Sequence, residues 1–394
     1  MRKIKYPYIN DTEKQIFDNK YYNLFKLNLD EHKINIILRK IDNTYNLKRL
    51  LLSDFSELIL VQDKIRKSPE RKKLELFFKK GSNKKTKYIY ETFQPIISKF
   101  FMHNNIDLQS CHYCNIDYVN TIEEHYQFNT PQEFILKAPK EVLTLIEEIS
   151  DSTANEIIKK RFKNDILNDL KLVLGARVYL KIFNFWNSTS LSNCSNVDLT
   201  NIVIKKNHYT LDHVLPKNEY SFFSLSLYNL TPSCYSCNSK FKHIKEFTVN
   251  NELAKICPTS DKFELNQMFT FKLNFDVNDI DFETKIKQIR QIEDVVVKIE
   301  NIQSSKGVEE FLEIFKIKSR YEFHKNISFD LIEKRKKYPD SELNDIAKIF
   351  IKNNIFFDLE TLKKDIYGKE CFESTNSPFE KYKQDIAGQL GLTS

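Results

Sequence analysis

An Asp-His pair at Asp212 and His213, an asparagine at Asn229 and another at Asn238, just behind a Cys-x-x-Cys turn (Cys234, Cys237), bring hydrolytic side chains together within residues 212–240. A neutral imidazole titrates near about 6.5, so His213 can take a proton from water at cellular pH. Asp212 and Asn238 offer oxygen atoms to a hard cation such as Mg²⁺ or Mn²⁺, which prefers oxygen ligands and keeps several waters. A cation with two protein ligands stays open to a phosphate oxygen, as Lewis-acid catalysis requires. Asn229 carries a two-sided amide suited to pinning the loop that presents His213. Neighbours on an extended strand point to opposite faces, so Asp212 and His213 straddle the backbone unless a bend re-aims them. Pro216 and the Asn/Ser-rich stretch after it permit such a bend.

The second feature is thiol chemistry. Seven cysteines in 394 residues would give roughly 0.1 Cys-x-x-Cys pairs by chance, yet there are two: Cys111-His112-Tyr113-Cys114 and Cys234-Tyr235-Ser236-Cys237. Four thiolates suit one closed tetrahedral Zn²⁺ site that staples the chain. The 119 residues between Cys114 and Cys234 (115–233) far exceed the loop of a compact zinc finger, so an inserted segment must leave and return. Disulfides are the alternative. Met1-Arg2-Lys3-Ile4-Lys5 leads into polar sequence rather than an apolar export segment, which favours a reducing, cytoplasmic compartment and therefore zinc. Cys194, Cys257 and Cys371 have no partner at ligand spacing and read as buried free thiols.

In order, these residues read C-x-x-C, then Leu211-Asp212-His213-x-x-Pro216-Lys217, then Asn229-Leu230-x-Pro232-x-Cys234-x-x-Cys237-Asn238-x-Lys240. The pattern resembles the HNH endonucleases of the ββα-metal superfamily, in particular HNH proteins of bacterial defence islands that often lie beside an ATPase gene. The resemblance covers residues 209–243 plus the upstream knuckle. Residues 377–386 resemble the tail of such proteins less specifically. It implies Asp212 and Asn238 as metal ligands, His213 as general base, Asn229 as the residue ordering the loop, and Cys111, Cys114, Cys234 and Cys237 as zinc ligands. The family spacing places a lysine at position 241, which is Phe241 here; Lys240 and Lys242 flank it and, with Lys217, are the expected phosphate contacts. The implied activity is metal-dependent hydrolysis of DNA phosphodiester bonds as an effector of anti-phage defence, with an ATPase or another defence-system protein as the expected partner. An RNA-cleaving nuclease and a zinc-stapled nucleic-acid-binding module without catalysis are the alternatives.

Taken singly, an Asp-His pair is more often structural than catalytic, and asparagine is abundant here; order and spacing carry the reading. His112 reads as a hydrogen-bonding residue rather than a fifth ligand, His208 as a core or surface residue, and His243 as a weak DNA contact.

A balance of 61 basic to 54 acidic residues gives +7, mild for a nucleic-acid binder, so any footprint must be local. Residues 64–87 concentrate eleven cations (Lys64, Arg66, Lys67, Arg71, Lys72, Lys73, Lys79, Lys80, Lys84, Lys85 and Lys87), which suit either a phosphate track or a solvated helix face. With 6 glycines there is no Gly-rich phosphate loop, which argues against an ATPase in this chain. No apolar run reaches the ~20 residues of a membrane span.

Around these residues the expected fold is α+β, a predominantly helical, multi-part chain built on a zinc-stapled ββα core. Residues 1–104 form a helical region with Ile34, Ile37, Leu38 and Ile41 on one face and a helix near 88–104. Residues 105–248 hold the core, with strands at 209–215 and 227–230, a helix at 238–245 and a helical insertion at 115–207. Phe183, Phe185 and Trp186 read as the packing of that insertion. Residues 249–394 open with alternating Phe269, Phe271, Leu273 and Phe275, able to pair with Val295–Ile299. Helices follow near 306–322, 329–337 and 340–352, and Ser377, Pro378 and Glu380 spell a helix start. Partner binding or regulation and plain scaffolding are equally open for this last region.

Overall fold

The computed structural model describes residues 1–80, 87–146, 149–161, 175–180, 182–183, 201–352 and 358–393. It is α+β: mostly helix, with small two-stranded sheets. The chain divides into two compact units, residues 1–120 with 207–394, and residues 121–206.

Unit 1 begins with helices that their own sequences cap. In α1 (Asp11–Asn23) and α2 (Glu31–Ile41), the Asn10 and Asp30 side chains accept from the backbone N–H three residues on. Ile34 and Leu38 of α2 are fully buried, with Ile37 and Ile41 against the same core. Then follow α3 (Leu47–Leu52), α4 (Phe55–Lys67), α5 (Arg71–Leu76), a short ribbon of β1 (Lys79–Lys80) with β2 (Lys87–Tyr88), and α6 (Tyr90–His103).

Unit 2 pairs β3 (Thr121–Gln127) with β4 (Asn201–Asn207) and carries helices Pro131–Lys137, Lys140–Leu143 and Asp151–Lys160 around its own apolar cluster. Phe183 stacks on Tyr179 at 4.3 Å beside that cluster. Phe185, Trp186 and Cys194 lie outside the described residues.

Back in unit 1, β5 (Thr210–His213) pairs antiparallel with β6 (Leu230–Ser233), followed by a π-helical turn at Ser236–Lys242. Later, β7 (Phe269–Leu273) pairs with β8 (Val297–Asn301), placing Phe271 opposite Ile299 as the alternation predicted. The outer edge of β7 is covered by side chains of the helix Glu380–Gln389. Asp385 accepts from Phe271 N (2.9 Å), and Gln389 accepts from Leu273 N and donates to Phe271 O (2.8 Å each).

Four sequence expectations change. The boundaries at 104 and 248 do not separate units, because one core joins residues of 1–120 and 207–394, from Met1 to Leu392, and polar contacts stitch them. Tyr21 Oη donates to Leu225 O, Ser226 Oγ to Leu50 O, and Tyr321 Oη to Cys114 O. The second strand starts at Leu230 rather than 227, since Leu227–Asn229 forms a 3-10 turn. Pro232 is tolerated inside it because a two-stranded ribbon has only edge strands. Ser377 does not cap the last helix; the helix begins at Glu380, whose carboxylate instead accepts from Thr375 N and Asn376 N. The helix expected over 306–322 breaks at Lys316, which takes φ 53° between Lys306–Ile314 and Ile317–Phe323.

In the cationic block at 64–87, five of the eleven cations are held in close ion pairs. Lys64 pairs with Asp42, Lys67 with Asp63, Arg71 and Lys79 with Glu75, and Lys73 with Glu70, all within 3.2 Å. Most of these pairs are three or four residues apart along a helix, the spacing that favours them. Lys84 and Lys85 lie outside the described residues.

Asn115 joins the first knuckle to the C-terminal helix. It is fully buried at φ 54°, donates to Ser110 Oγ (2.7 Å) and Ser377 O (3.0 Å), and accepts from Lys381 N (3.3 Å). Asparagine tolerates that left-handed backbone better than alanine. Asn115→Ala should therefore destabilise the zinc-loaded protein by about 3 kcal/mol, read from urea unfolding midpoints. A loss below about 1 kcal/mol would show that the joint contributes no more than an ordinary hydrogen bond.

Candidate functional site

Residues i and i+2 of a strand share a face, about 6–7 Å apart. On β5 these are Thr210 and Asp212, and two residues of the following turn meet them. Asn238 Nδ2 donates to Thr210 Oγ1 (2.9 Å), and Lys242 Nζ donates to both Asp212 oxygens (2.9 and 2.7 Å) and to His213 O (2.6 Å). The Asp212–Lys242 pair is almost wholly buried, at 7 % and 4 % side-chain exposure. Tyr113 Oη completes the carboxylate's shell at 2.6 Å.

The turn's geometry explains the displaced lysine. Ser236–Lys242 is π-helical, with His243 N bonded to Asn238 O five residues back. Residues four apart on a helical turn share a face, so Lys242 comes round beside Asn238 and is directed onto Asp212. Phe241 instead lies under the Arg320 guanidinium at 4.8 Å, and Lys240 is exposed outside the cleft. The expected α-helix over 238–245 is corrected accordingly.

His213 ends β5 and is buried. Its Nε2 lies 2.9 Å from Ser224 O, and a carbonyl only accepts, so the proton sits on Nε2 and Nδ1 is the basic nitrogen. The Tyr90 ring meets the imidazole edge-on at 4.4 Å. Burial, against the partly opposing bond to Ser224, lowers the imidazole pKa to about 3, so the ring is neutral throughout the physiological range.

Asn229 is fully buried and ties the loop after His213 at four points. Its Oδ1 accepts from Leu215 N (2.7 Å), its Nδ2 donates to Leu215 O (3.0 Å) and Phe223 O (3.1 Å), and its backbone O accepts from Val214 N (3.1 Å). This bend brings Asp212 and His213 to one cleft although they are strand neighbours. The cleft, of about 410 Å³, is lined by Thr210, Asp212, His213, Asn238, Lys242, Lys217 and His243 with Tyr88 and Tyr90. Lys217 Nζ lies 5.4 Å from the centroids of both Tyr88 and Tyr90 and 3.8 Å from Glu91.

The oxygen donors fit a hard cation. Asn238 Oδ1 has no hydrogen-bond partner among the described residues, and the Lys242 ammonium shows that the space between Asp212 and the His213 carbonyl accepts positive charge.

The four cysteines converge beside this unit. Cys111, Cys114, Cys234 and Cys237 are buried, and their Sγ atoms lie within 4.8 Å of one another, with Cys114 and Cys234 at 3.9 Å. Zn–S bonds of about 2.3 Å in a tetrahedron require sulfur separations of about 3.8 Å. All six described cysteines are free thiols, so the disulfide alternative falls away. Against the upward push of burial, bonds from the other three thiols hold Cys114 well below its ordinary pKa, whereas burial first and the same neighbours hold Cys237 well above. Four thiols crowded together so unevenly suit a cation that would deprotonate them all.

Backbone N–H groups of Ile116, Cys234 and Cys237 point at Cys114, Cys111 and Cys234 sulfurs, each at 3.4 Å. Arg320 donates to Cys237 (3.3 Å) and Cys114 (3.4 Å), offsetting the negative charge a tetrathiolate zinc site carries.

Sequence reasoning missed Tyr113, Tyr90, Thr210 and Arg320. Tyr113 lay in view inside the first knuckle; nothing in the sequence links Arg320 to Cys237, 83 residues away. His112 is buried, its Nδ1 3.3 Å from Arg2 O and its Nε2 without a partner, while His208 and His243 are exposed. Among the described residues no helix is long and apolar enough to cross a membrane.

Compared with protein-family models, curated proteins and solved structures, the chain matches none.

The thiol cluster makes a direct prediction. Purified protein should carry about one zinc per chain, and Cys114→Ser and Cys234→Ser should each remove it and lower the melting temperature similarly. Elemental analysis and thermal melts check this; a zinc-free wild-type protein that melts unchanged in chelator would refute the staple.

Proposed function

We propose that unit 1 is a metal-dependent endonuclease of the HNH type that hydrolyses DNA phosphodiester bonds. The observation that carries this reading is the meeting of Asp212, His213, Asn238 and Lys242 in one cleft, on a strand–strand–helix unit with Asn229 pinning its loop. A non-catalytic zinc module would need the cysteines but not a neutral imidazole anchored by Nε2 with Nδ1 left as the base.

His213 Nδ1 takes a proton from a water as that water's oxygen bonds to phosphorus. The bond from phosphorus to the 3′ oxygen then breaks, the departing 3′ oxygen takes a proton from solvent, and 5′-phosphate and 3′-hydroxyl ends are left. The Ser224 carbonyl fixes the imidazole's tautomer and stabilises the imidazolium that forms. A divalent cation on Asp212 and Asn238 would supply Lewis-acid stabilisation of the charged transition state and departing oxygen. Lys217, at the cleft wall, offers its charge to the phosphodiester backbone. A defence role beside a partner ATPase stands on the motif resemblance alone.

Incubation with duplex DNA, single-stranded DNA and RNA, each with Mg²⁺, Mn²⁺ or EDTA, tests the reading and separates DNA from RNA as substrate. His213→Ala should lower cleavage by about 10²–10⁴-fold with zinc content and fold intact. Wild-type rates in that variant would sink the assignment of the base, and no cleavage of any substrate by the wild type would sink the enzyme.

Asn229→Ala should cut the rate by about 100-fold, because releasing Leu215 and Phe223 lets the imidazole drift. Single-turnover kinetics with zinc content as control measure it; an unchanged rate would show that the rest of the loop holds His213 without that amide.

A further inference from the structure

We propose that Lys242 is the resting counterion of Asp212, and that the catalytic cation enters by displacing its ammonium, which then turns to the scissile phosphate. The inference rests on the nuclease reading and adds a device to it: one lysine serving two positions in the same site.

Three observations support it. First, the ammonium does not merely approach the carboxylate; it contacts both oxygens and the His213 carbonyl, with Tyr113 donating to the same carboxylate. A cation arriving at Asp212 meets oxygens already engaged by Lys242, so the two compete for one position. Second, the pair is almost wholly buried, and a buried carboxylate without a counterion is strongly disfavoured. In metal-free protein the lysine therefore protects the fold, and the cation must take over that duty when the lysine leaves. Third, an exit exists, because Lys242 itself lines the cleft in which Asn238 Oδ1 has no partner among the described residues. Rotating about its flexible stem carries the ammonium from the carboxylate into that open space, where a phosphate oxygen would lie.

The test measures metal binding without substrate or turnover. Zinc-loaded wild type, Lys242→Met and Asp212→Asn are titrated with Mn²⁺, and free Mn²⁺ is counted by electron paramagnetic resonance. Methionine keeps the length and apolar stem but removes the competing charge. Lys242→Met should bind Mn²⁺ on the order of tenfold more tightly than wild type, and Asp212→Asn should bind little. Equal or weaker binding by Lys242→Met, with Asp212→Asn still defective, overturns the displacement while leaving the metal site standing. Binding unaffected by Asp212→Asn overturns the metal site itself, and the displacement with it.

Should Lys242→Met fail to fold, by zinc content and circular dichroism, wild-type protein decides the matter. Lysine acylation mapped by mass spectrometry should find Lys242 of the zinc-loaded protein protected in buffer free of Mn²⁺ and modified at least several-fold faster in saturating Mn²⁺. Protection unchanged by Mn²⁺ refutes the proposal.

Discussion

The four-thiol cluster is the constraint on which the rest of unit 1 depends. It joins segments 119 residues apart (115–233) in the chain, and both segments carry more than cysteine. The first knuckle holds Tyr113, which donates to Asp212, and is followed by Asn115, which binds the C-terminal helix. The second knuckle starts the π-turn whose Asn238 and Lys242 face β5. Losing the cluster would therefore free the tyrosine, the asparagine and the lysine together. Such a site is strong only with a cation inside it, because four buried thiols otherwise compete for protons and hydrogen bonds. Arg320, bound to two of the sulfurs, brings the C-terminal region into the same balance.

A second buried charge system sits a few residues away, and the two obey the same rule. Breaking a buried ion pair by removing one partner costs roughly 3–5 kcal/mol, because the other is left uncompensated. Asp212 is never without a cation in the scheme argued above: an ammonium at rest, a divalent cation at work. His213, beside it, follows the opposite logic. Burial keeps it uncharged, which a general base needs before proton transfer, and the Ser224 carbonyl readies the ring to hold charge afterwards. Adjacent residues thus work in opposite charge states because the loop tied by Asn229 sends them to different partners.

What the sequence revealed was chemistry set by short spacing. Asp212, His213, Asn229, Asn238 and the second cysteine pair lie close in order, and the structure brings them near one another, with the distant first pair joining the second. Strand alternation at Phe269, Phe271 and Leu273 was equally legible, since a period of two survives whatever packs above it. What stayed hidden depended on long-range packing or on backbone shape. No periodicity marks a π-turn, so Lys242 could only be named as one of two lysines flanking Phe241. Ser377, Pro378 and Glu380 spelled a helix start, yet Glu380 spends its carboxylate on Thr375 and Asn376 instead. The cationic block looked like a phosphate track because a sequence shows charges without their partners, and several of those partners lay within four residues.

The tertiary contacts also settle which parts of unit 1 the cleft requires. Its walls come from Tyr88 of β2, from Tyr90 at the start of α6, from β5, and from the π-turn. Tyr90 bears on His213, and α6 is in turn held by Phe100 against Phe17 and Tyr21 of α1. Tyr21 reaches back to Leu225, in the same loop that contains Ser224, the anchor of His213. The path from imidazole to α6 to α1 and back to the imidazole's own loop closes on itself. The N-terminal helices are therefore walls of the site rather than an appended domain. A segment cut at residues 105 and 248 would keep Asp212, His213, Asn238 and the four cysteines and lose the surfaces that hold His213 in place.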